Sequence, residues 1–306
     1  MSFDVTSTLM TIVGISTPIL LAGLGELVVE KSGVLNLGVE GMMLIGAIGG
    51  FAGTVLTGNP WFGVLAASGG AALASLMFGF FVLNLNSNQV ATGLALTIFG
   101  TGLSSLIGTA FVGRIVPIFG SPFPAELARH PFWQLFFGYS PIVYFAFIMV
   151  PLVAWFLKST RWGLILRAVG ENDLSAHSIG YSVIGVRFAA IAFGGAMAGI
   201  AGMYFTTVTS QMWNEKMTAG RGWIALALVV FAGWRSGRLL LGAYFFGLLI
   251  ELELLAKGAG FSLLPSQFWA AMPYLMTVVV LAVISARETV GSNAPACLGK
   301  PFLPSA

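Results

Sequence analysis

The sequence predicts an all-α, polytopic transmembrane bundle of about nine spans, and three observations carry that prediction. Of the 306 residues, 57% are hydrophobic and only 8% charged, whereas soluble domains carry about 25% charged residues. Mean hydropathy is +0.93. Apolar stretches repeatedly reach the roughly 20 residues a helix needs to cross hydrocarbon, and one long polar segment, residues 158–187, divides them.

Spans are predicted at roughly 9–29, 34–56, 61–83, 90–112, 139–157, 184–208, 221–235, 239–256 and 268–286. The 158–187 loop sets Lys158, Arg161, Arg167 and Arg187 against Glu171 and Asp173, so by the positive-inside rule it faces the cytoplasm. Lys31, the Arg235–Arg238 turn and the tail with Arg287 and Lys300 then fall inside as well. Nine of the 14 basic residues are cytoplasmic in this arrangement, and Arg114, Arg129, Lys216, Arg221 and Lys257 are external. The N-terminus is expected outside and the C-terminus in the cytoplasm. Tryptophan prefers the headgroup level, and Trp61, Trp133, Trp155, Trp162, Trp213, Trp223, Trp234 and Trp269 all fall at or beyond a predicted span end.

Within the polar loop, about Thr160–Val169 and about Asn172–Ile179 each read as a short helix. Gly170 is expected to break them apart and Asn172 or Asp173 to cap the second. The external stretch 113–138, with Pro117, Pro122, Pro124 and Pro131, excludes a long continuous helix; it is a plain loop or a docking surface for an extracytoplasmic partner. Two spans are irregular. The second opens SGVLNLGVEGMM, where Gly33, Gly38 and Gly41 surround Asn36 and Glu40, the pattern of a broken helix whose polar backbone must be satisfied inside the protein. The seventh has about 13 residues between Trp223 and Trp234, roughly 20 Å as helix and short of the hydrocarbon core; it starts earlier, near Met217, or is re-entrant. Gly46–Gly50, Gly49–Gly53 and Gly195–Gly199 mark close helix packing.

Several chemistries are excluded. No phosphate-binding GxxxxGK[ST] loop occurs, so the chain has no nucleotide engine of its own. Single Cys297 rules out an intrachain disulfide and any cysteine metal or redox motif. Neither His130 nor His177 pairs with an acid at depth, and no catalytic set, metal or cofactor is expected. The net charge of +3 is a loop property that speaks of topology and anionic lipid, not of nucleic acid. MSFDVTST lacks the basic start of a cleaved signal peptide, so the first span is expected to remain. Of the acids, Glu26 reads as close to the inner end of its span and Glu253 as paired with Lys257. Glu40 and Glu251 are the deep candidates. With Asn36, Asn88, Gln89 and Thr92 they form the candidate path-lining set, suited to a neutral, hydrogen-bonding solute; the NLNSNQ run at 84–89 reads equally as a cytoplasmic turn.

Four stretches carry a family resemblance: TPILLAGLGELVVEKSGVLNLGVEGMMLIGA (17–47), LRAVGENDLSAHSIGYSVIGVR (166–187), MTAGRGWIALALVVFAGW (217–234) and PACLGKPF (295–302). Together they resemble the permease subunits of bacterial ABC importers for nucleosides and simple sugars, within the family that includes ribose and branched-chain amino-acid permeases. The resemblance implies a type II importer-like fold in a single transmembrane domain, 1–306, in the bacterial inner membrane. It implies cytoplasmic ATPase subunits, an extracytoplasmic substrate-binding protein and a second permease; likeness to the shorter nucleoside-type subunit makes that a heterodimer. The coupling loop toward the ATPase would then comprise Arg167, Gly170, Glu171, Asn172, Asp173, Ala176 and Gly180. Asp173 stands where the family commonly has proline, and Arg235-Ser236 where Asn-Pro follows the tryptophan. Nucleoside is the first expectation for the substrate. A simple sugar is the alternative within the class, and a self-sufficient ion-coupled carrier the alternative outside it.

Overall fold

A computed structural model describes residues 5–124, 126, 130–258, 268, 271–272, 275–279, 282 and 294–303. Among them there are helices and turns and no strand. The helices are α1 (Val5–Lys31), α2 (Val39–Thr57), α3 (Pro60–Gly79), α4 (Gln89–Gly108), α5 (Pro131–Phe137), α6 (Pro141–Ser159), α7 (Arg161–Glu171), α8 (Asp173–Ser178), α9 (Val183–Tyr204), α10 (Arg221–Phe231) and α11 (Ser236–Gly258). The ends of α3 and α9 widen into π-turns at Phe80–Asn84 and Phe205–Thr209.

Seven of the described helices are long and apolar enough to cross a membrane: α1, α2, α3, α4, α6, α9 and α11. They coincide with seven of the nine predicted spans. The predicted span 268–286 lies largely outside the described residues, as do Trp269, Arg129, Arg287 and the side chain of Lys257, with which Glu253 was expected to pair.

α1 is the centre of the bundle. Every residue from Ser16 to Glu30 is buried, and α6, α9, α10 and α11 pack around it. A helix enclosed on all sides has no solvent face, so its few polar residues, Ser16, Thr17, Glu26 and Glu30, are buried with the rest. Small residues let α2 and α9 close on each other: a Cβ added to Gly46 would collide with the Gly199 backbone, and one on Gly202 with Met43. Gly41 and Gly100 bring α2 and α4 together in the same way. With hydrocarbon outside, such backbone approach and its dispersion contacts replace the hydrophobic drive of a soluble core.

The seventh predicted span is neither a full helix nor a simple re-entrant hairpin. Residues 210–220 enter as irregular chain, and α10 supplies only 11 helical residues. Gly23 faces the start of α10, where an added Cβ would lie 3.6 Å from the Ala225 carbonyl oxygen; Gly23 is roughly 12 Å along α1 from Lys31 at the helical rise. At its other end Trp234 donates Nε1–H to Glu30 at 2.6 Å. α10 therefore starts about half-way through the bundle and runs down to the end that carries the polar loop. Arg235 and Arg238 are at that end, as expected. Trp223, in the first turn of α10, is deep within the bundle and not at a span end, because the helix begins where the neighbouring spans are at mid-length.

Over the opposite end, the described part of 113–138 holds one seven-residue helix, α5, in keeping with its prolines. It is packed down: Val116 shares an apolar cluster with Ile48, Phe51 and Trp213, and Phe119 meets Trp61 edge-on at 5.1 Å.

Candidate functional site

The polar loop folds into two short helices joined at a sharp corner. Thr160 caps α7 by accepting from Gly163 N at 3.0 Å. Asn172, extended at φ −150°, caps α8 by accepting from Ser175 N at 2.9 Å. The corner is thus at Asn172, and Gly170 lies inside α7 and does not break it. Its lack of a side chain serves packing instead, since a Cβ there would strike the Lys31 carbonyl oxygen at the end of α1. Gly180, at φ +93°, turns the chain back after α8 in the left-handed region that glycine adopts without strain.

One face of α8 is buried and the other is free. Ala176 joins Ile165, Val169, Val183 and Phe302 in a small apolar cluster, and Asp173 is buried beside it. Leu174 is 51% and Ile179 71% exposed, flanked by exposed Glu171, Asn172 and His177. α8 thus presents two large apolar side chains at the polar end of the bundle.

The root of α8 is tied into the bundle. Arg187 in α9 is fully buried; its Nη2 lies 3.0 Å from Asp173 Oδ2, and its Nε donates to the Ser32 carbonyl at 3.2 Å. The tail straps the same region. Cys297 N donates to Gly170 O at 3.0 Å and Gly299 N to Gly33 O at 3.1 Å, while Phe302 reaches His177 with ring centroids 5.4 Å apart.

From Ser32 the chain enters the bundle as the irregular segment 32–38, and its polar groups are satisfied by protein. Glu26 Oε1 accepts from Asn36 N at 3.2 Å, Asn36 Oδ1 from Gly38 N at 3.0 Å, and Gln89 Oε1 from Leu35 N at 2.8 Å. Gln89 also donates to Lys300 O at 3.4 Å. α2 then begins beside the start of α10, and Glu40 bridges the two. Its Oε1 accepts from Thr218 Oγ1 at 2.5 Å and Gly220 N at 2.8 Å, and its Oε2 from Gly222 N at 2.7 Å. One carboxylate thus meets the positive ends of two helix dipoles.

The other predicted residues are elsewhere. Asn88 caps α4 through Ala91 N at 3.0 Å, and Thr92 in the first turn of α4 bonds Ser87 Oγ at 2.9 Å, so residues 85–88 form a turn at the loop end. Arg167 is half-buried in α7. Glu251 is buried in α11, its Oε2 without a hydrogen-bond partner among the described residues. The structure therefore gathers Asn36, Gln89, Gly170 and Asp173 around one end, with Glu40 further in, and keeps Glu251 apart. Sequence reasoning missed Glu26 and Glu30, both fully buried; it placed Glu26 near the inner end without foreseeing that the next segment re-enters against it. It also missed Arg187 as the partner of Asp173. The clue was there: an arginine inside an apolar run needs a buried acceptor.

Residues 8–281 match the family model described as the branched-chain amino acid transport system / permease component. The chain is 41% identical over 92% of its length, and 93% of the relative's, to the "Putative glucose ABC transporter permease protein TsgC13" of Haloferax volcanii. It is 28% identical to the nucleoside ABC transporter permease protein NupC of Lactococcus lactis, covering 92% of this chain and 94% of that one. With the guanosine ABC transporter permease protein NupQ of Bacillus subtilis it shares 27% identity over 94% and 93% of the two chains.

Proposed function

The chain belongs to the branched-chain amino acid transport system permease component family, and from that premise we propose that it is the transmembrane permease subunit of an ATP-binding-cassette importer for nucleosides or simple sugars. It is a multi-pass membrane protein, of the cytoplasmic membrane, with the polar-loop end and the tail inside. ATP hydrolysis belongs to separate ATPase subunits and this chain contributes no catalytic residue. A second permease, a different chain, completes the path, and a substrate-binding protein delivers solute to the outer face. The relative named for glucose is the more similar at 41% identity, against 28% and 27% for those named for nucleoside and guanosine, which makes a hexose the first substrate to try and a nucleoside the second.

The observation that carries this reading is the mechanical continuity below α8. The exposed tip, Leu174 and Ile179, is the docking element for the ATPase. Its root, Asp173, is ion-paired to Arg187, which holds Ser32 at the entrance of the irregular 32–38 segment. That segment ends where Glu40 joins the N-termini of α2 and α10. A displacement of α8 therefore reaches two helix starts inside the bundle through directly bonded groups. Interrupted helices with their N-termini at depth are where transporter folds recognise polar solutes. Arg167, Gly170, Glu171, Asn172, Ala176 and Gly180 shape or flank the docking element. Asn36, Glu40 and Gln89 serve the path by fixing its backbone.

The test is uptake into vesicles holding this chain with its co-purifying subunits, using labelled glucose and guanosine with and without internal ATP. ATP-dependent uptake that Leu174→Ser with Ile179→Ser abolishes is expected. Uptake by the chain alone, following a proton or sodium gradient, would replace the importer by a secondary carrier.

A further inference from the structure

At the loop end, between α6, α7 and the α10–α11 turn, a cavity of about 550 Å³ is ringed by Lys31, Lys158, Arg167, Arg235 and Arg238. Five cations converge there. Lys31 has two carboxylates near it, Glu171 and Glu30, and Glu30 also accepts from Trp234. Arg167 also lines a second cavity with Glu171 and Pro295, and its buried Nε has no hydrogen-bond partner among the described residues. A buried guanidinium N–H without an acceptor points to an oxygen ligand.

The rest of the cavity has two characters. Ser236, Gly237 and Arg238 line it from the first turn of α11, a 23-residue helix whose positive dipole end and free amides favour an anion. Val150, Leu157, Trp234 and Leu241 supply apolar wall, and Leu241 is 72% exposed on the outside of the bundle. The cationic floor thus opens sideways along α6 and α11, where hydrocarbon lies against the helices. A soluble anion has no use for that wall; an anion that carries acyl chains does.

We propose that this cavity binds the phosphodiester headgroup of an anionic phospholipid of the inner leaflet, with the acyl chains lying along α6 and α11. The leaflet follows from the orientation given under the proposed function; the binding itself does not depend on transport. Arg235 and Arg238 are the clamps at the rim, both exposed, and half-buried Arg167 is the inner partner. The lipid would bridge α6 and α7 to the α10–α11 turn, and so couple the base of the polar loop to the half-helix that Glu40 caps.

The experiment is native mass spectrometry of the full chain, delipidated in detergent and titrated with phosphatidylglycerol or phosphatidylcholine of identical acyl chains. Phosphatidylglycerol is expected to remain bound preferentially, and Arg235→Gln with Arg238→Gln to weaken it by about thirtyfold, each basic residue at a membrane surface being worth about 1 kcal/mol. Arg235→Lys with Arg238→Lys should retain most of it, and Arg114→Gln on the other face all of it. Equal retention of the two lipids by the unmodified chain overturns the proposal without recourse to any variant. So does displacement by inorganic phosphate or ATP at concentrations that leave no preference for the lipid, which would make a free phosphate the ligand. Because no step requires an ATPase or a substrate, failure here leaves the importer reading intact, and failure of uptake leaves this one intact.

Discussion

Arg187 Nη2 and Asp173 Oδ2 are 3.0 Å apart, with the arginine side chain fully buried. The pair joins the foot of α8 to α9, and the same guanidinium holds the Ser32 carbonyl. Asp173 thus ties the corner between α7 and α8 to α9 by charge.

Removing either partner leaves a buried charge uncompensated, a loss of about 3–5 kcal/mol. Asp173→Leu and Arg187→Leu should each lower thermal stability sharply, while the double variant should regain much of it. A double-mutant cycle read from thermal unfolding in detergent checks this; strictly additive losses would mean the pair contributes no coupling.

Glu40→Gln keeps the size of the side chain but presents an amide N–H₂ to a site with three donors and no acceptor. One of Thr218, Gly220 or Gly222 loses its partner, a cost of about 1–3 kcal/mol. Hydrogen exchange should speed up at the amides of 220–224 with little change in α3 or α4. Unchanged exchange there would show that Glu40 does not hold α10.

Gly170→Ala should destabilise by about 1–3 kcal/mol, because the new methyl must push α7 off the end of α1. Gly69→Ala, where no atom lies within 4 Å of the new Cβ, should be neutral or slightly stabilising, since alanine favours helix by about 1 kcal/mol. If the two behave alike, the close approach at Lys31 is not what fixes glycine at 170.

Leu174→Ser with Ile179→Ser alters an exposed face, so stability should stay within about 0.5 kcal/mol while stimulation of the ATPase by transported solute is lost. Asn172→Ala instead removes a helix cap and should cost about 1 kcal/mol. Comparing unfolding midpoints with coupled ATPase rates separates a docking defect from a folding defect.

The seven long spans, the polar loop with its two helices, a cap at Asn172 or Asp173 and the close-packing glycines were all legible in the sequence. Each is a local property: a run length, a charge asymmetry, a cap residue, a small-residue spacing. The broken start of the second span was legible too, because glycines around Asn36 and Glu40 make continuous helix costly. The role of Gly170 was not, since a helix breaker and a contact glycine look the same until the neighbouring helix is in place.

Which polar groups meet was not legible, because it depends on how distant segments pack. Sequence position put Glu26 near the inner end and made Glu40 and Glu251 the deep acids. Folding back of residues 32–38 against α1 buried Glu26 as well, while α10 and the chain before it brought Trp234 onto Glu30 and gave Glu40 three donors from a segment some 180 positions away. Depth in a bundle is set by where neighbouring chain segments lie, and helical rise along one segment carries no information about that. Run lengths, charge asymmetry and cap residues are enough to establish that this chain crosses a membrane repeatedly and presents a small helix at the polar end. Through a buried ion pair and a shared carboxylate, the tertiary structure decided what that helix is connected to.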